Sequence, residues 1–107
     1  MSIQVAVAEE GGHHVVRVTG EVDLDSSPEL WEQIHAALRQ GQQVKVDLRE
    51  VSYIDSSGVA ILIKGLKHAS KNGTAYRLVD PSPRVMAVLE LAQLPQLFDI
   101  ERTEPEA

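Results

Sequence analysis

The chain has 107 residues, a net charge of −6 and no cysteine. That length suits one compact domain, and a composition of 43% hydrophobic and 24% charged residues excludes wholesale disorder. The acidic balance argues against a nucleic-acid binder, which needs a basic surface to neutralise phosphates, and the lack of cysteine excludes disulfides, thiol nucleophiles and cysteine-bound metals.

The first predicted element in chain order is a β-hairpin. Apolar residues alternate with polar or small ones over residues 3–8, and the Gly11-Gly12 pair predicts a turn. Residues 14–19 predict a second strand that pairs with the first, and Gly20 is expected to end it.

The first helix is predicted to begin at Ser26-Ser27-Pro28, with a small hydroxyl as its cap and proline in its first turn. Apolar residues then recur at helical spacing until Gly41, which is a stop signal. Trp31 lies beside that apolar stripe, so we expect it in the core or at its edge.

A third strand over residues 44–48 is followed by a short apolar link that carries Tyr53 and Ile54. The sequence Asp55-Ser56-Ser57-Gly58 then opens a second helix, which Asn72-Gly73 closes. The predicted inner face of this helix consists of Val59, Leu62, Ile63 and Leu66.

The remaining elements are a fourth strand over residues 74–79, a third helix and a short last strand over residues 97–100. The loop Asp80-Pro81-Ser82-Pro83 caps the third helix, whose predicted inward residues are Val85, Val88, Leu89 and Ala92. The order β-β-α-β-α-β-α-β predicts an α/β fold, with a mixed sheet of four to five strands and about three packed helices.

Residues 1–101 are predicted to form this single domain, and residues 102–107 an acidic flexible tail. The most apolar stretch, residues 59–63, is far shorter than the roughly 20 residues that a membrane helix needs. The N-terminal sequence also lacks the pattern of a secretory signal. We therefore expect a cytoplasmic protein without membrane insertion.

Enzyme signatures are missing from the sequence. It contains no phosphate-binding Gly-rich loop with lysine, no dinucleotide fingerprint and no serine nucleophile elbow. The histidines lack the spacing of a helical metal site; they are His13, His14, His35 and His68. We expect no catalytic residue, no metal and no cofactor, and therefore no enzyme.

The segment from Asp55 to Gly58 places two hydroxyls where the N–H groups of a new helix are unpaired. A phosphate on Ser56 or Ser57 would meet those donors and the helix dipole, but also the charge of Asp55 and that of Asp23 or Asp47. This combination of attraction and repulsion suits a phosphorylation switch, because about two added negative charges can abolish a docking surface. An ordinary serine N-cap explains the same serines equally well.

A second candidate surface lies on the outer face of the second helix. Helical spacing groups Ile61, Lys64, Gly65 and His68 opposite the predicted buried stripe. An exposed isoleucine beside a glycine, close to the serines, would be a patch for docking a partner. A single exposed aliphatic side chain is also common without any function.

The sequence resembles a known family at two places. Val46-Asp47-Leu48 followed by Ile54-Asp55-Ser56-Ser57-Gly58 resembles the central signature of STAS domains (sulfate transporter and anti-sigma factor antagonist). Upstream, Thr19-Gly20-Glu21-Val22-Asp23 resembles the T-G-E-[LV]-D turn of the same family. The resemblance extends from the first hairpin to Phe98 and implies the STAS fold.

The resemblance implies an anti-sigma factor antagonist of bacterial partner switching. In that family the unphosphorylated protein binds an anti-sigma factor that is also a serine kinase, and so regulates transcription. The kinase phosphorylates the serine directly after the aspartate, here Ser56, and a PP2C-type phosphatase removes the phosphate. ATP is bound by the partner. The predicted partner-binding residues are Asp23, Asp55, Ser57, Gly58, Ile61 and Lys64.

Other features resemble a second branch of the same fold. Its members are small cytoplasmic STAS proteins that bind the ATPase of a phospholipid-trafficking ABC transporter. Leu30-Trp31-Glu32 and Leu94-Pro95 are similar to that branch, although it more often carries threonine where this chain has Ser56. The family often has Leu-Gly after the box, and this chain has Val59-Ala60 instead. A non-enzymatic transporter adaptor is therefore the alternative function.

Overall fold

A computed structural model describes residues 3–103 of the chain. Within them the strands and helices follow the predicted order β-β-α-β-α-β-α-β. The strands are β1 (Ile3–Glu10), β2 (His13–Val22), β3 (Gln43–Ile54), β4 (Tyr76–Val79) and β5 (Asp99–Glu101). The helices are α1 (Ser27–Leu38), α2 (Ser56–Lys71) and α3 (Pro83–Leu91), and a 3-10 turn (Pro95–Leu97) precedes β5.

The strands form one mixed sheet in the order β1-β2-β3-β4-β5. Only β1 and β2 are antiparallel neighbours, and the other neighbouring pairs in the described sheet are parallel. Gly11 and Gly12 join β1 to β2 with φ angles of 58° and 85°. Two successive residues with positive φ suit the right-handed twist of a hairpin, so the predicted turn is confirmed. The strand pairing confirms the predicted mixed sheet.

Two strands run further than the sequence predicted. Strand β2 passes through Gly20, whose φ is 109°, and continues to Val22 across two shifts in its pairing with β3. The predicted link that carries Tyr53 and Ile54 is likewise part of β3. Both predicted ends were wrong because hydrogen bonding between β2 and β3 continues beyond them. The register shifts in this pairing are tolerated because glycine at position 20 can adopt a positive φ.

The core lies between one face of the sheet and the helices. Val44, Val46 and Leu48 of β3 point into it and are fully buried, as are Leu62 of α2 and Leu89 of α3. Because side chains alternate across a strand, the intervening residues of β3 lie on the opposite face. That uncovered face is therefore available for polar side chains.

The uncovered sheet face carries cross-strand ion pairs. Arg17 lies beside its register partner Asp47 with Nε 3.2 Å from Oδ2, and Arg77 Nε lies 2.8 Å from Oδ2 of Asp99. Lys45 Nζ lies 3.2 Å from a carboxylate oxygen of Glu101. Opposite charges in register stabilise a sheet modestly and keep an uncovered face soluble in water.

The third helix and its flanking loop follow the prediction in part. Ser82 caps α3 by accepting the N–H of Val85 at 3.3 Å, and its hydroxyl donates to the carbonyl of Val51. Ala92 was predicted to face inward and is exposed, since the helix ends at Leu91. No helix within residues 3–103 has the length and apolar character needed to cross a membrane.

The second helix is enclosed on a side that the sequence predicted to be outward. Gly65 is buried, and a Cβ atom there would lie 2.5 Å from Tyr76 Oη. Tyr76 is itself buried and donates its hydroxyl to the carbonyl of Leu62 at 3.0 Å; burial also raises the pKa of this phenol. The predicted outer face was therefore wrong at Gly65, because α2 packs on β4 through that position.

We predict that Gly65→Ala destabilises the protein. Crowding against Tyr76 costs about 1–3 kcal/mol, and displacing its hydroxyl loses a buried hydrogen bond of about 1 kcal/mol. The better helix propensity of alanine returns about 1 kcal/mol. Urea denaturation should show a net loss of about 1–3 kcal/mol, whereas Ser70→Ala on the exposed side of α2 should change stability by less than about 0.5 kcal/mol.

The segment after β5 is tied to the end of β4. Asp80 has a φ of 46° and accepts hydrogen bonds from the backbone N–H and the hydroxyl of Thr103 and from Arg49. Arg102 donates to the carbonyl of Pro81 at 3.2 Å. The bonds that Asp80 accepts, that of the Thr103 hydroxyl first, lower its pKa to about 2. Residues 104–107 of the predicted tail lie outside the described residues.

The lowered pKa of Asp80 predicts a pH-dependent stability. The ionised carboxylate stabilises the fold above its ordinary pKa near 4, and this contribution disappears as the pH falls toward about 2. Asp80→Asn tolerates the left-handed backbone and should cost about 1 kcal/mol at pH 7. Chemical denaturation at several pH values should show the two proteins converging near pH 2; a difference that persists there would contradict the assignment.

Candidate functional site

The second helix begins directly where β3 ends, and Asp55 caps it. Its backbone is extended, with φ −116° and ψ −172°. Its Oδ1 atom accepts the N–H of Ser57 at 2.9 Å and that of Gly58 at 3.3 Å. The carboxylate thus satisfies two of the donors that a helix start leaves unpaired and lies at the positive end of the helix dipole.

The two serines of the box have different surroundings. Ser57 donates its hydroxyl to Asp55 Oδ1 at 2.5 Å, so this group is part of the cap. Ser56 is exposed, and its hydroxyl has no hydrogen-bond partner in the part of the chain that the structure describes. Ser56 therefore offers the accessible hydroxyl of the box, a distinction that the sequence did not make on physical grounds.

Gly58 allows the helix to start close to the ends of β2 and β3. A Cβ atom at this position would lie 2.6 Å from Val22 Cγ1 and 2.7 Å from Ile54 Cγ1. No side chain fits at such distances without displacing its neighbours, so the glycine fixes how near α2 lies to the sheet. The same approach permits the Asp55 N–H to donate to the carbonyl of Val22 at 3.2 Å.

The loop after β2 lies next to the box and is held by Asp23. One carboxylate oxygen accepts the N–H groups of Asp25 and Ser26, and the Ser26 hydroxyl donates to the carbonyl of Glu21 at 3.0 Å. The Ser26 N–H, with further donors, lowers the pKa of Asp23. The predicted hydroxyl cap of α1 was wrong, because Ser26 makes no side-chain cap bond and braces this loop instead.

The structure brings Asp23 toward the box but not Asp47. The bond between Val22 and Asp55 joins the start of the Asp23 loop to the start of α2. Asp47 lies on the uncovered sheet face, paired with Arg17, and eight residues of extended chain separate it from Asp55. At about 3.3 Å per residue that distance is about 26 Å. The expectation that Asp47 faces a phosphate on the box was therefore wrong.

An apolar groove adjoins the exposed serine. It has a volume of about 300 Å³ and runs between α2 and α3. Its lining residues are Ser56, Val59, Ala60, Ile63, Val88, Leu91 and Ala92. Leu91 at the rim is 88% exposed, which is unusual for a large aliphatic side chain. No pattern along the sequence indicates this groove, because its lining comes from two helices that lie far apart in the chain.

The predicted docking patch on α2 is only partly a surface. Ile61 is half-buried against the core, and Gly65 is buried beneath Tyr76. Lys64 is exposed, and its Nζ lies 4.4 Å from the ring centroid of Trp31. The prediction that all four residues lie on an open face was therefore wrong at Gly65, and partner binding by Ile61 and Lys64 stays a prediction.

Two helices bring together histidines that lie far apart in the sequence. The ring of His35 stacks on Trp31 with centroids 4.9 Å apart, and the ring of His68 lies 5.0 Å from that of His35. Among residues 3–103 no group of three or more His, Asp or Glu side chains is arranged to hold a metal ion. The aromatic cluster thus joins α1 to α2.

Comparison with known proteins places the chain in a family. The family model described as "Mlab, STAS domain" matches residues 5–99. The chain belongs to the STAS domain family. This STAS domain is 30% identical over 100 residues to an anti-sigma-B factor antagonist of Bacillus subtilis, covering 94% of this chain and 92% of the relative.

Solved structures agree with this assignment. An anti-sigma factor antagonist from Mycobacterium paratuberculosis superposes with a TM-score of 0.83 at 27% identity, covering 92% of this STAS domain and 85% of that chain. The Bacillus cell fate determinant SpoIIAA in its phosphorylated form has a TM-score of 0.74 at 20% identity, with 94% and 92% covered. The second likeness concerns the fold alone. The predicted family and fold are therefore confirmed.

The different roles of the box residues predict different costs of substitution. Asp55→Ala removes the cap and should lower the free energy of unfolding by about 1 kcal/mol. Ser57→Ala removes a hydroxyl that is bonded to the cap and should cost about 0.5–1.5 kcal/mol. Ser56→Ala should change stability by less than about 0.5 kcal/mol. Urea denaturation tests the order; equal losses at the two serines would contradict the assigned roles.

Proposed function

We propose that this STAS domain is an anti-sigma factor antagonist that is controlled by phosphorylation at Ser56. Its unphosphorylated form binds an anti-sigma factor serine kinase in a partner-switching pathway, and the phosphorylated form does not. The names of the curated relatives support the antagonist function. The control by phosphate rests on the geometry of the box.

The observation that carries the proposal is the contrast between the two serine hydroxyls. A kinase needs a hydroxyl that it can approach and that no neighbour holds. Ser56 is exposed and makes no hydrogen bond within the described residues, while the Ser57 hydroxyl is bonded to Asp55. This supports Ser56 as the acceptor.

Local electrostatics support a switch that changes the surface and leaves the fold intact. A phosphate on Ser56 lies at the first turn of α2, where the positive end of the helix dipole favours negative charge. It also adds about two negative charges beside Asp55 and the Asp23 loop. A partner surface that packs against the neutral serine would then have to approach the negative charges of the phosphate and Asp55. Binding would also require removing water from the doubly charged phosphate, which costs free energy.

The apolar groove explains why a phosphate at this position interferes with a partner. Ser56 lies at one end of the groove, and aliphatic side chains form the rest of its lining. An apolar side chain of the partner that enters the groove would be placed beside the phosphate. Desolvating that charge without pairing it is costly, so the modified protein loses affinity.

The remaining parts of the proposal follow from this mechanism. The protein acts by binding and is not an enzyme; the kinase holds the ATP, and a PP2C-type phosphatase returns the protein to its active form. Sigma factors and their kinases act in the cytoplasm, so we assign the protein to that compartment. Asp55, Ser57 and Gly58 shape the surface, while Asp23 supplies a fixed negative charge.

The alternative of a transporter-ATPase adaptor has less support from the contacts of its motivating residues. Trp31 is half-buried, stacked on His35 and covered by Lys64. Leu94 packs against the core where the 3-10 turn begins. A ring and an aliphatic side chain that are engaged internally are poor anchors for a partner.

We predict that the protein purified from its native host carries one phosphate on Ser56. Intact-mass analysis should show a gain of about 80 Da, the mass of one phosphate group, and tandem mass spectrometry across residues 51–64 should assign it. Ser57→Ala should still be phosphorylated and Ser56→Ala should not. A phosphate on Ser57, or none under several growth conditions, would contradict the proposal.

The same site gives a binding test with matched variants. Ser56→Ala should bind the cognate kinase as the wild type does, and Ser56→Glu should weaken binding at least about tenfold through its added charge. Circular dichroism checks that both variants are folded. The proposed switch would be overturned if Ser56→Glu bound the kinase as tightly as the wild type. It would also be overturned if the protein bound a transporter ATPase and bound no kinase.

A further inference from the structure

The second helix carries an unusual distribution of charge. The chain has 16 acidic and 10 basic residues, yet the sequence of α2 contains three lysines, one histidine and no acid. An ordinary solvated helix face mixes both signs at neighbouring positions. The lysines of α2 are therefore concentrated on one element of an otherwise acidic protein.

These lysines form one line on the outward side of the helix. Lys64, Lys67 and Lys71 are exposed and are spaced at three and four residues, which places their side chains on one face. Ser56 and Ala60 continue the same line toward the start of α2. We call Lys64, Lys67 and Lys71 the lysine ridge. A ridge and a phosphate acceptor thus share one face of one helix.

The ammonium groups of the lysine ridge take part in none of the described ion pairs. The described ion pairs use Arg17, Lys45, Arg49 and Arg77 on the sheet face or at its rim. Within residues 3–103 no carboxylate lies within 4.0 Å of a ridge ammonium group. Arg39, Arg84 and Arg102 also lack a described ion pair, so the ridge holds three of the six such cations, and it holds them on one face of one helix.

The helix dipole explains only part of this arrangement. A cation in the last turn gains from the negative end of the dipole, which accounts for Lys71. Lys64 and Lys67 lie before that turn, where the benefit has faded. Like charges at these spacings repel each other and slightly destabilise an isolated helix. A role outside the fold accounts for them better.

The first helix is followed by one more cation on the same side of the molecule. Arg39 follows α1 and is exposed, and the ring of His35 lies 5.0 Å from that of His68. Both helices start at one edge of the sheet, since they follow the parallel strands β2 and β3. Glu21 at the end of β2 and Asp23 and Asp25 in the loop after it lie near the start of both helices, so the charge changes sign along the helix pair.

We propose that the lysine ridge binds an acidic segment of the protein partner. The inference rests on the proposed function for the identity of that partner, a kinase that must position Ser56. From Ser56 to Lys71 the helix extends about 22 Å, which is long enough for a second contact area beyond the groove. Charge pairing along the ridge orients the partner and speeds its association.

A protein segment fits this surface better than other polyanions. A long nucleic acid or a flat anionic membrane would also face the acidic loop and the remaining negative surface of a chain whose net charge is −6. A short acidic segment contacts the ridge alone. The Trp31 ring is already occupied by His35 and Lys64, so it is not free to stack on a base.

The test measures binding of a fluorescein-labelled peptide of twelve glutamates by fluorescence anisotropy at low salt. The ridge variant Lys64→Gln with Lys67→Gln keeps good helix formers. Its matched control, Arg84→Gln with Arg102→Gln, removes the same charge from two exposed cations that have no described ion pair. A labelled single-stranded DNA of equal charge and vesicles of anionic phosphatidylglycerol are the competing probes.

We expect the wild type to bind the glutamate peptide more tightly than either competing probe, and more weakly as salt rises. The ridge variant should lose at least about tenfold in affinity and the control less than about twofold. No binding, equal losses in both variants, or tighter binding of DNA or vesicles would overturn the inference. Because Ser56 takes no part in this assay, a negative result here would not by itself contradict the proposed phosphorylation of Ser56, and the two tests can fail independently.

Discussion

The site depends on the absence of a side chain at Gly58. The start of α2 packs so closely on Val22 and Ile54 that a Cβ atom would overlap both. That approach sets the bond between the Asp55 N–H and the Val22 carbonyl, and so it fixes the Asp23 loop beside the box. It also leaves Ser56 on the outer side of the first turn, at the end of the apolar groove.

Local signals predicted most of the fold. The Gly11-Gly12 turn, the Ser82 cap and the helix start at Asp55 depend on residues within a few positions of each other, and they were correct. The extents of β2 and β3 depend on pairing between strands, so Gly20 and Tyr53 misled the prediction. Helical spacing alone also misjudged Gly65, because only the packing of α2 on Tyr76 shows which side is covered.

The candidate site was predictable as a segment but not as a set of roles. The sequence identified the box and the Asp23 turn through their resemblance to a family. It did not separate the two serines, since the difference lies in one hydroxyl bonded to Asp55. The groove and the contacts of His35 with His68 join helices that are distant in the chain, so no pattern along the sequence indicates them.

Charge serves different purposes on two sides of this small domain. On the uncovered sheet face, arginines and carboxylates are paired in register across the strands, which suits a surface that remains in water. On α2 the cations have no such pairs within the described residues. The charges of the sheet face are neutralised within the isolated molecule. Those of the α2 lysines are neutralised only by anions from outside it.

The cap of α2 has a consequence for how long a signal lasts. Asp55 and Ser57 hold the helix start without any bond from Ser56, so the proposed phosphate would mark the protein without refolding it. A purely conformational switch relaxes by itself within microseconds to seconds. A covalent mark on an unchanged fold persists until an enzyme removes it. The protein would then work as a molecular memory, whose retention time is set by the phosphatase and not by the motions of the domain.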